Sequence, residues 1–190
     1  LISAGSELIV LCDANVLYKN VLRDLIVRLG VKGTLAPRWT DRVHDEWITN
    51  LLEHRPDLSH ARLQRTREVM NRAVRDSLHA TTLTGNHHLP DPDDQHVLDA
   101  ALSAGASVLL TFNLADFPSS ALPASLQAIH PDAFLVACLE QQPGGVLAAL
   151  HELRADLKKP PFSPDELLAA LVRAELPLFA GQLKRFRDSL

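Results

Sequence analysis

The run Leu8–Cys12 reads LIVLC and ends on a carboxylate, Asp13. A segment apolar at every position has no solvent face, so the strand it forms must be covered on both sides, as in the middle of a parallel sheet. Parallel strands need long crossovers, which are usually helices. The chain supplies them. Val21, Leu22, Leu25, Ile26 and Leu29 recur at helical spacing, with Gly30 read as the stop. Gly33–Ala36 reads as a short strand broken by Pro37–Trp39. Thr40 or Asp41 caps a helix running to about Leu52. On it Val43, Trp47 and Leu51 form the buried stripe, Glu46 lies at the stripe's edge and Asp45 faces solvent.

A capped turn at Pro56–Ser59 leads into a helix over His60–Leu78, with Leu63, Val69, Met70, Ala73 and Val74 inside and arginines outside. Ala80–Leu83 reads as a short strand, and Gly85–Pro90 as a loop whose His87 and His88 lack a third ligand. Leu126–Ile129 is a further strand. Helices follow from Pro131 or Asp132 to about Gln141 and over Gly144–Lys158, then a linker at Lys159–Phe162. Ser163 opens a helix of capping-box form over Leu167–Ala174, and Pro177–Phe186 completes a helical tail.

The chemistry concentrates in Leu89–Pro118, LPDPDDQHVLDAALSAGASVLLTFNLADFP. Asp91 suits a helix N-cap and Pro92 the first helical position, which leaves Asp93 and Asp94 in a first turn where the helix dipole favours negative charge. Capping alone explains Asp91 and Asp93. Val97, Leu98, Ala101 and Leu102 make a buried face, while Asp99 lies on another face and reads as structural. Gly105 stops the helix, Ser107–Leu110 is a strand, and Thr111, Asn113 and Asp116 follow its end. In a parallel sheet, ligands bind outside the carboxyl ends of the strands. Asp13, Asn113 and Asp116 all fall on that edge.

The net charge of −4 gives no global positive field for nucleic acid, so any such contact is local or uses a cation. Clustered carboxylates repel unless a cation sits between them, and an all-oxygen set selects Mg²⁺ or Mn²⁺ over zinc or copper. Such an ion activates water and neutralises a phosphate, so an acidic pocket is compatible with an anionic substrate. Cys12 and Cys138 have neither disulfide nor zinc spacing and read as buried thiols of a reduced, cytoplasmic compartment. No apolar run approaches the ~20 residues of a membrane span, and the opening LISAGSELIVLCDAN lacks the basic start of a signal peptide. Arg62, Arg65 and Arg72 share a helix face suited to RNA phosphates or to the acids of a protein partner, although a solvated basic face is commoner. Trp39 and Trp47 are candidates for base stacking, and Trp47 fits the core stripe better.

VLCDANVLY, the HDEW stretch around Glu46, LPDPDDQHVLDAAL and LLTFNLADFP, in this order and spacing, resemble the PIN-domain ribonucleases, and within them the VapC-like toxins. The resemblance covers about residues 8–135. It implies a three-layer α/β/α PIN-like fold with a central parallel sheet and a nuclease domain over residues 1–135; the C-terminal helices over 136–190 lie outside the resemblance and read as an extension packed on that domain. It also implies a Mg²⁺- or Mn²⁺-dependent endoribonuclease, the toxin of a toxin–antitoxin pair. Its expected partners are RNA, a cognate antitoxin and a second copy in a homodimer, with no membrane. By position Asp13, Glu46 and Asp94 match the family's first three acids. Asp13 and Asp94 hold the metal, and Glu46 ligates it or serves as base. The fourth position, often Asp, is Asn113 here, with Asp116 three residues on, and either one completes the set. Asn15 and Thr111 resemble residues that orient the water or hold Asp13. Competing readings are a non-catalytic PIN module that binds RNA or a partner, a structure-specific DNA nuclease and, last, a phosphate-accepting receiver domain.

Overall fold

Strands β1 (Ile9–Cys12), β2 (Ala36–Arg38), β3 (Val108–Leu110) and β4 (Gln127–Ile129) pair in the order β2-β1-β3-β4, and every pairing is parallel. They belong to a computed structural model of the chain that describes residues 7–81, 85, 87–156 and 162–190. Half of the expected strand at Ala80–Leu83 lies outside these residues, and the described half, Ala80 and Thr81, is not in a strand; the linker at Lys159–Phe162 lies outside them except for Phe162.

Alternation along the central strands divides the core. Val10, Cys12, Val108 and Leu110 point to one face of the sheet, and Leu11 and Leu109 to the other. On the first face lie α1 (Ala14–Tyr18), α2 (Asn20–Val31), α3 (Asp41–His54) and α4 (His60–Ala73), together with α6 (Pro131–Gln141), α7 (Pro143–Asp156), α8 (Pro164–Arg173) and α9 (Pro177–Leu183). On the second lies α5 (Gln95–Ser103), through Val97, Leu98, Ala100 and Ala101. The result is the three-layer α/β/α arrangement expected from the fully apolar first strand. Leu167, Leu171, Phe179 and Leu183 of the C-terminal helices share one core cluster with Val16, Leu22 and Trp47. Cys12 and Cys138 are both buried and free.

Several local details depart from the sequence reading. Gly30 lies inside α2, and the stop is Gly33, whose φ of 69° suits glycine. Gly30 has a different reason to be small: a Cβ there would lie 2.8 Å from the Pro37 ring. Pro37 does not break a strand but sits within β2, an edge strand, where a missing N–H is tolerated. α4 ends at Ala73 rather than Leu78, and Val69 and Ala73 are exposed rather than inside. Trp39 is fully buried like Trp47, so neither is available for base stacking.

A hydrogen-bonded chain holds both indoles. Trp39 Nε1 donates to Asn71 Oδ1 (2.7 Å), His44 Nε2 lies 3.0 Å from the same oxygen, and Trp47 Nε1 donates to His44 Nδ1 (3.0 Å).

Capping follows the sequence closely. Thr40 caps α3, Ser59 caps α4, and Ser163 with Glu166 forms a complete capping box on α8. The start of α9 has no side chain of its own as cap. Instead Asp132, buried in the first turn of α6, accepts from Leu178 N (2.9 Å) and Phe179 N (2.8 Å). Among the described residues no single helix is long and apolar enough to cross a membrane. α6 and α7 together pass on length and composition, but they bend by 118° at their junction and bury much of their apolar surface.

Candidate active site at the carboxyl edge of the sheet

β1 delivers Asp13 to the edge of the sheet, where its N–H donates to Leu110 O of β3 (3.0 Å). The carboxylate is buried and tied on every side. Oδ1 accepts from Ala14 N (2.6 Å), and Oδ2 accepts from Asn15 Nδ2 (2.6 Å) and Thr111 Oγ1 (2.7 Å). Thr111 Oγ1 in turn accepts from Asn15 Nδ2 and Asn113 N, and Asn15 Oδ1 accepts from Phe112 N. Asn15 and Thr111 thus lock the Asp13 side chain between two neighbouring strand ends.

Asp13, Asn15, Glu46, Asp94 and Asn113 line one open pocket of about 570 Å³, together with Tyr18, Lys19, Asn50, His54, Phe112 and Glu175. Glu46 reaches it from α3. Asp94 ends a 3-10 turn, Pro92–Asp94, that precedes α5, so the acids sit one turn ahead of the α-helix rather than in its first turn. Asp91 caps that turn by accepting from Asp93 N (2.9 Å). Asp116 lies in a second 3-10 turn, Leu114–Asp116, beside the pocket rather than among its lining residues.

The electrostatics show how close these groups stand. Burial pushes the Asp13 carboxyl above its ordinary value, the Glu46 charge adds to this, and the hydrogen bonds from Thr111 and Ala14 oppose it. Burial, followed by the charges of Asp13, Asp116 and Asp91, raises Asp94 to about 6. Burial would raise Glu46 too, but His96 and Arg42 outweigh it and hold the carboxyl low. His96 Nε2 is 2.9 Å and Arg42 Nε 3.1 Å from Glu46 Oε1. No three His, Cys, Asp or Glu side chains among the described residues are grouped closely enough to hold a metal ion as they stand.

Other expected contributors are dispersed. Arg62 and Arg65 line a hollow with Arg23, outside the acid pocket, whereas Arg72 bonds back to Glu68 O within its own helix. His87 and His88 line a separate hollow near Pro118. Three residues escaped the sequence reading. His96 lies inside the DDQHV motif, where a titratable side chain next to the acids was the available signal. Lys19 stacks over Phe112 and pairs with Glu175 at 2.7 Å. Glu175, in the left-handed region at φ 64°, comes from the C-terminal extension and has no local signal.

A parallel sheet between helical layers, with an acid-lined pocket at the carboxyl edge of its strands, defines the class of three-layer α/β/α domains to which the chain belongs. The comparisons name the family. The PIN domain family matches residues 9–115, and a model described as the VapC50 C-terminal domain matches residues 131–185. The chain belongs to the PIN-domain family and, within it, to the VapC-like group. Over 97 residues, half of this chain, it is 39% identical to a Mycobacterium tuberculosis protein named Putative ribonuclease VapC50. The match spans 57% of that protein's length. No solved structure matches the chain.

Proposed function

We propose that the chain is a Mg²⁺- or Mn²⁺-dependent endoribonuclease and the toxin of a toxin–antitoxin pair, acting in the cytoplasm on RNA and silenced by a cognate antitoxin. The observation that carries this reading is the meeting of Asp13, Glu46 and Asp94, from three separate segments, in one pocket at the carboxyl edge of the sheet. The relative's name, a ribonuclease, points the same way.

The donors fit a hard cation: Asp13, Asp94 and Asn113 offer side-chain oxygens, and after burial it is the charge of Asp13 that raises the Asp94 carboxyl, charge that a cation would neutralise. These three residues, with Asp116 close by, would hold the ion. A bound divalent ion supplies a water of lowered pKa and neutralises charge on the phosphate. Asn15 and Thr111 keep the Asp13 oxygens aimed. Glu46, kept ionised by His96 and Arg42, takes the proton of the water that attacks phosphorus. The P–O3′ bond then breaks and the leaving 3′-oxygen takes a proton from solvent, giving 5′-phosphate and 3′-hydroxyl ends.

The test pairs Mn²⁺ calorimetry with cleavage of a single-stranded RNA panel, using flapped DNA as the competing substrate. Asp13→Asn and chelator should each abolish cleavage with the fold intact. Full activity of that variant removes the mechanism. The spacing of the acids favours one rival, a PIN module that binds RNA or a partner without cutting it. Weak Mn²⁺ binding with no turnover would establish that rival.

A further inference from the structure

The acid pocket has a neighbour. Tyr18 and Lys19 line both it and a second cleft of about 620 Å³ between the α1–α2 junction, α4 and α8. The cations of this cleft differ in how far they are committed. Arg55 is paired with Asp57 through two hydrogen bonds, and Arg23 turns inward to donate to Leu17 O beneath Trp47. Arg62 and Arg173 are exposed and, among the described residues, carry no ion pair. Beyond Arg62 a third hollow continues to Arg65. A chain of net charge −4 thus places a row of available guanidiniums directly beside its most acidic pocket.

We propose that this cleft carries the phosphates of single-stranded RNA flanking the scissile bond, and that the C-terminal extension sets the grip with opposite signs from one turn. Arg173 holds a phosphate, while Glu175, at the mouth of the acid pocket, withholds Lys19 through their 2.7 Å contact until a phosphate displaces it. The inference rests on the nuclease reading, since it is the acid pocket that makes the neighbouring cleft a substrate path. An acidic protein segment would satisfy Arg62 and Arg173, yet continuing past Lys19 it would meet Asp13 and Asp94, which carry no ion pair among the described residues. A phosphodiester strand is the polyanion whose next unit that pocket is built to accept.

The test is fluorescence anisotropy of a labelled single-stranded RNA oligonucleotide of mixed sequence. The full chain is used, with excess chelator to prevent turnover. Arg62→Ala combined with Arg173→Ala should weaken binding about tenfold and lower the slope of log K against log salt by roughly 0.7 for each cation lost. Glu175→Gln should tighten binding about threefold by releasing Lys19. Opposite signs at positions 173 and 175 cannot come from simple unfolding of the extension. The proposal is overturned if the intact chain does not bind the RNA, if the double variant binds unchanged, or if Glu175→Gln weakens binding as Arg173→Ala does. It is also overturned if a polyglutamate peptide matches the RNA and is lost with the same substitutions. The two readings fail separately: cleavage with an indifferent double variant sinks only the cleft, and a responsive cleft without metal-dependent cleavage sinks only the nuclease.

Discussion

His96 Nε2 stands 2.9 Å from Glu46 Oε1, so an imidazole at the start of α5 grips a carboxylate that α3 delivers to the acid pocket. The contact fixes the carboxylate's position and, with Arg42, keeps it ionised despite partial burial. Partners of this kind, one step removed from the chemistry, typically contribute 10–100-fold to activity or metal affinity. His96→Ala should therefore lower the RNA cleavage rate by about 10–100-fold, and His96→Gln, which keeps a donor, should recover part of the loss. Single-turnover rates together with Mn²⁺ titration check this. An unchanged rate would mean that Glu46 works without its clamp.

Asp132 lies in the first turn of α6, which His130 caps, and commits both carboxylate oxygens to the bare N-terminus of α9. Removing a buried charged acceptor leaves two backbone donors without partners, at a cost of about 3 kcal/mol. Asp132→Ala should lose about that much in urea denaturation, and Asp132→Asn roughly half of it. Equal stability of all three proteins would show that water replaces the cap.

Two helical glycines should respond oppositely to alanine. At Gly181 of α9 nothing lies within 4 Å of an added Cβ, so Gly181→Ala should gain up to about 1 kcal/mol from helix propensity. At Gly30 the new methyl would meet Pro37 Cγ at 2.8 Å and Val74 Cγ1 at 3.1 Å. Overpacking of that kind costs about 1–3 kcal/mol and exceeds the propensity gain, so Gly30→Ala should destabilise by about 1 kcal/mol. Denaturation midpoints of the pair read out the sign directly.

Burial between the two indoles lowers the His44 imidazole from 6.5 to about 4, against the smaller raising effect of its hydrogen bond with Asn71. The unfolded chain therefore binds this proton between about pH 6.5 and 4 while the folded chain does not. Stability from this group is whole above pH 6.5 and drains away as pH falls through that window, by on the order of 3 kcal/mol. His44→Gln should flatten the pH dependence of the urea midpoint over that range. A slope identical to that of the unsubstituted protein would place the acid sensitivity elsewhere.

What the sequence conveyed was whatever is written locally. The fully apolar Leu8–Cys12 announced a sheet covered on both faces, and the spacing of Val43, Trp47 and Leu51 announced which side of α3 is buried, with Glu46 at its margin. Errors arose where a distant neighbour decides. Gly30 reads as a helix stop until Pro37 is seen pressing on it, and Pro37 reads as a breaker until its strand proves to be an edge. Val69 has the spacing of a core residue, but α4 buries only a narrow stripe through Leu63 and Met70. In the candidate site the acids were visible because they sit at strand ends and before a helix. The partners that set their state were not: His96 reaches Glu46 only through the packing of α5 near α3, and Glu175 meets Lys19 across 156 positions of sequence.

That last pairing has an evolutionary corollary. The rim of the acid pocket is stitched from the start of α2 and the turn after α8, so the C-terminal helices are part of the pocket's wall and not a detachable ornament. If the chain is the nuclease proposed above, exchanging these helices between relatives should transplant part of the preference for one RNA over another, and lineages that reshape this tail would diversify their targets without touching a single acid.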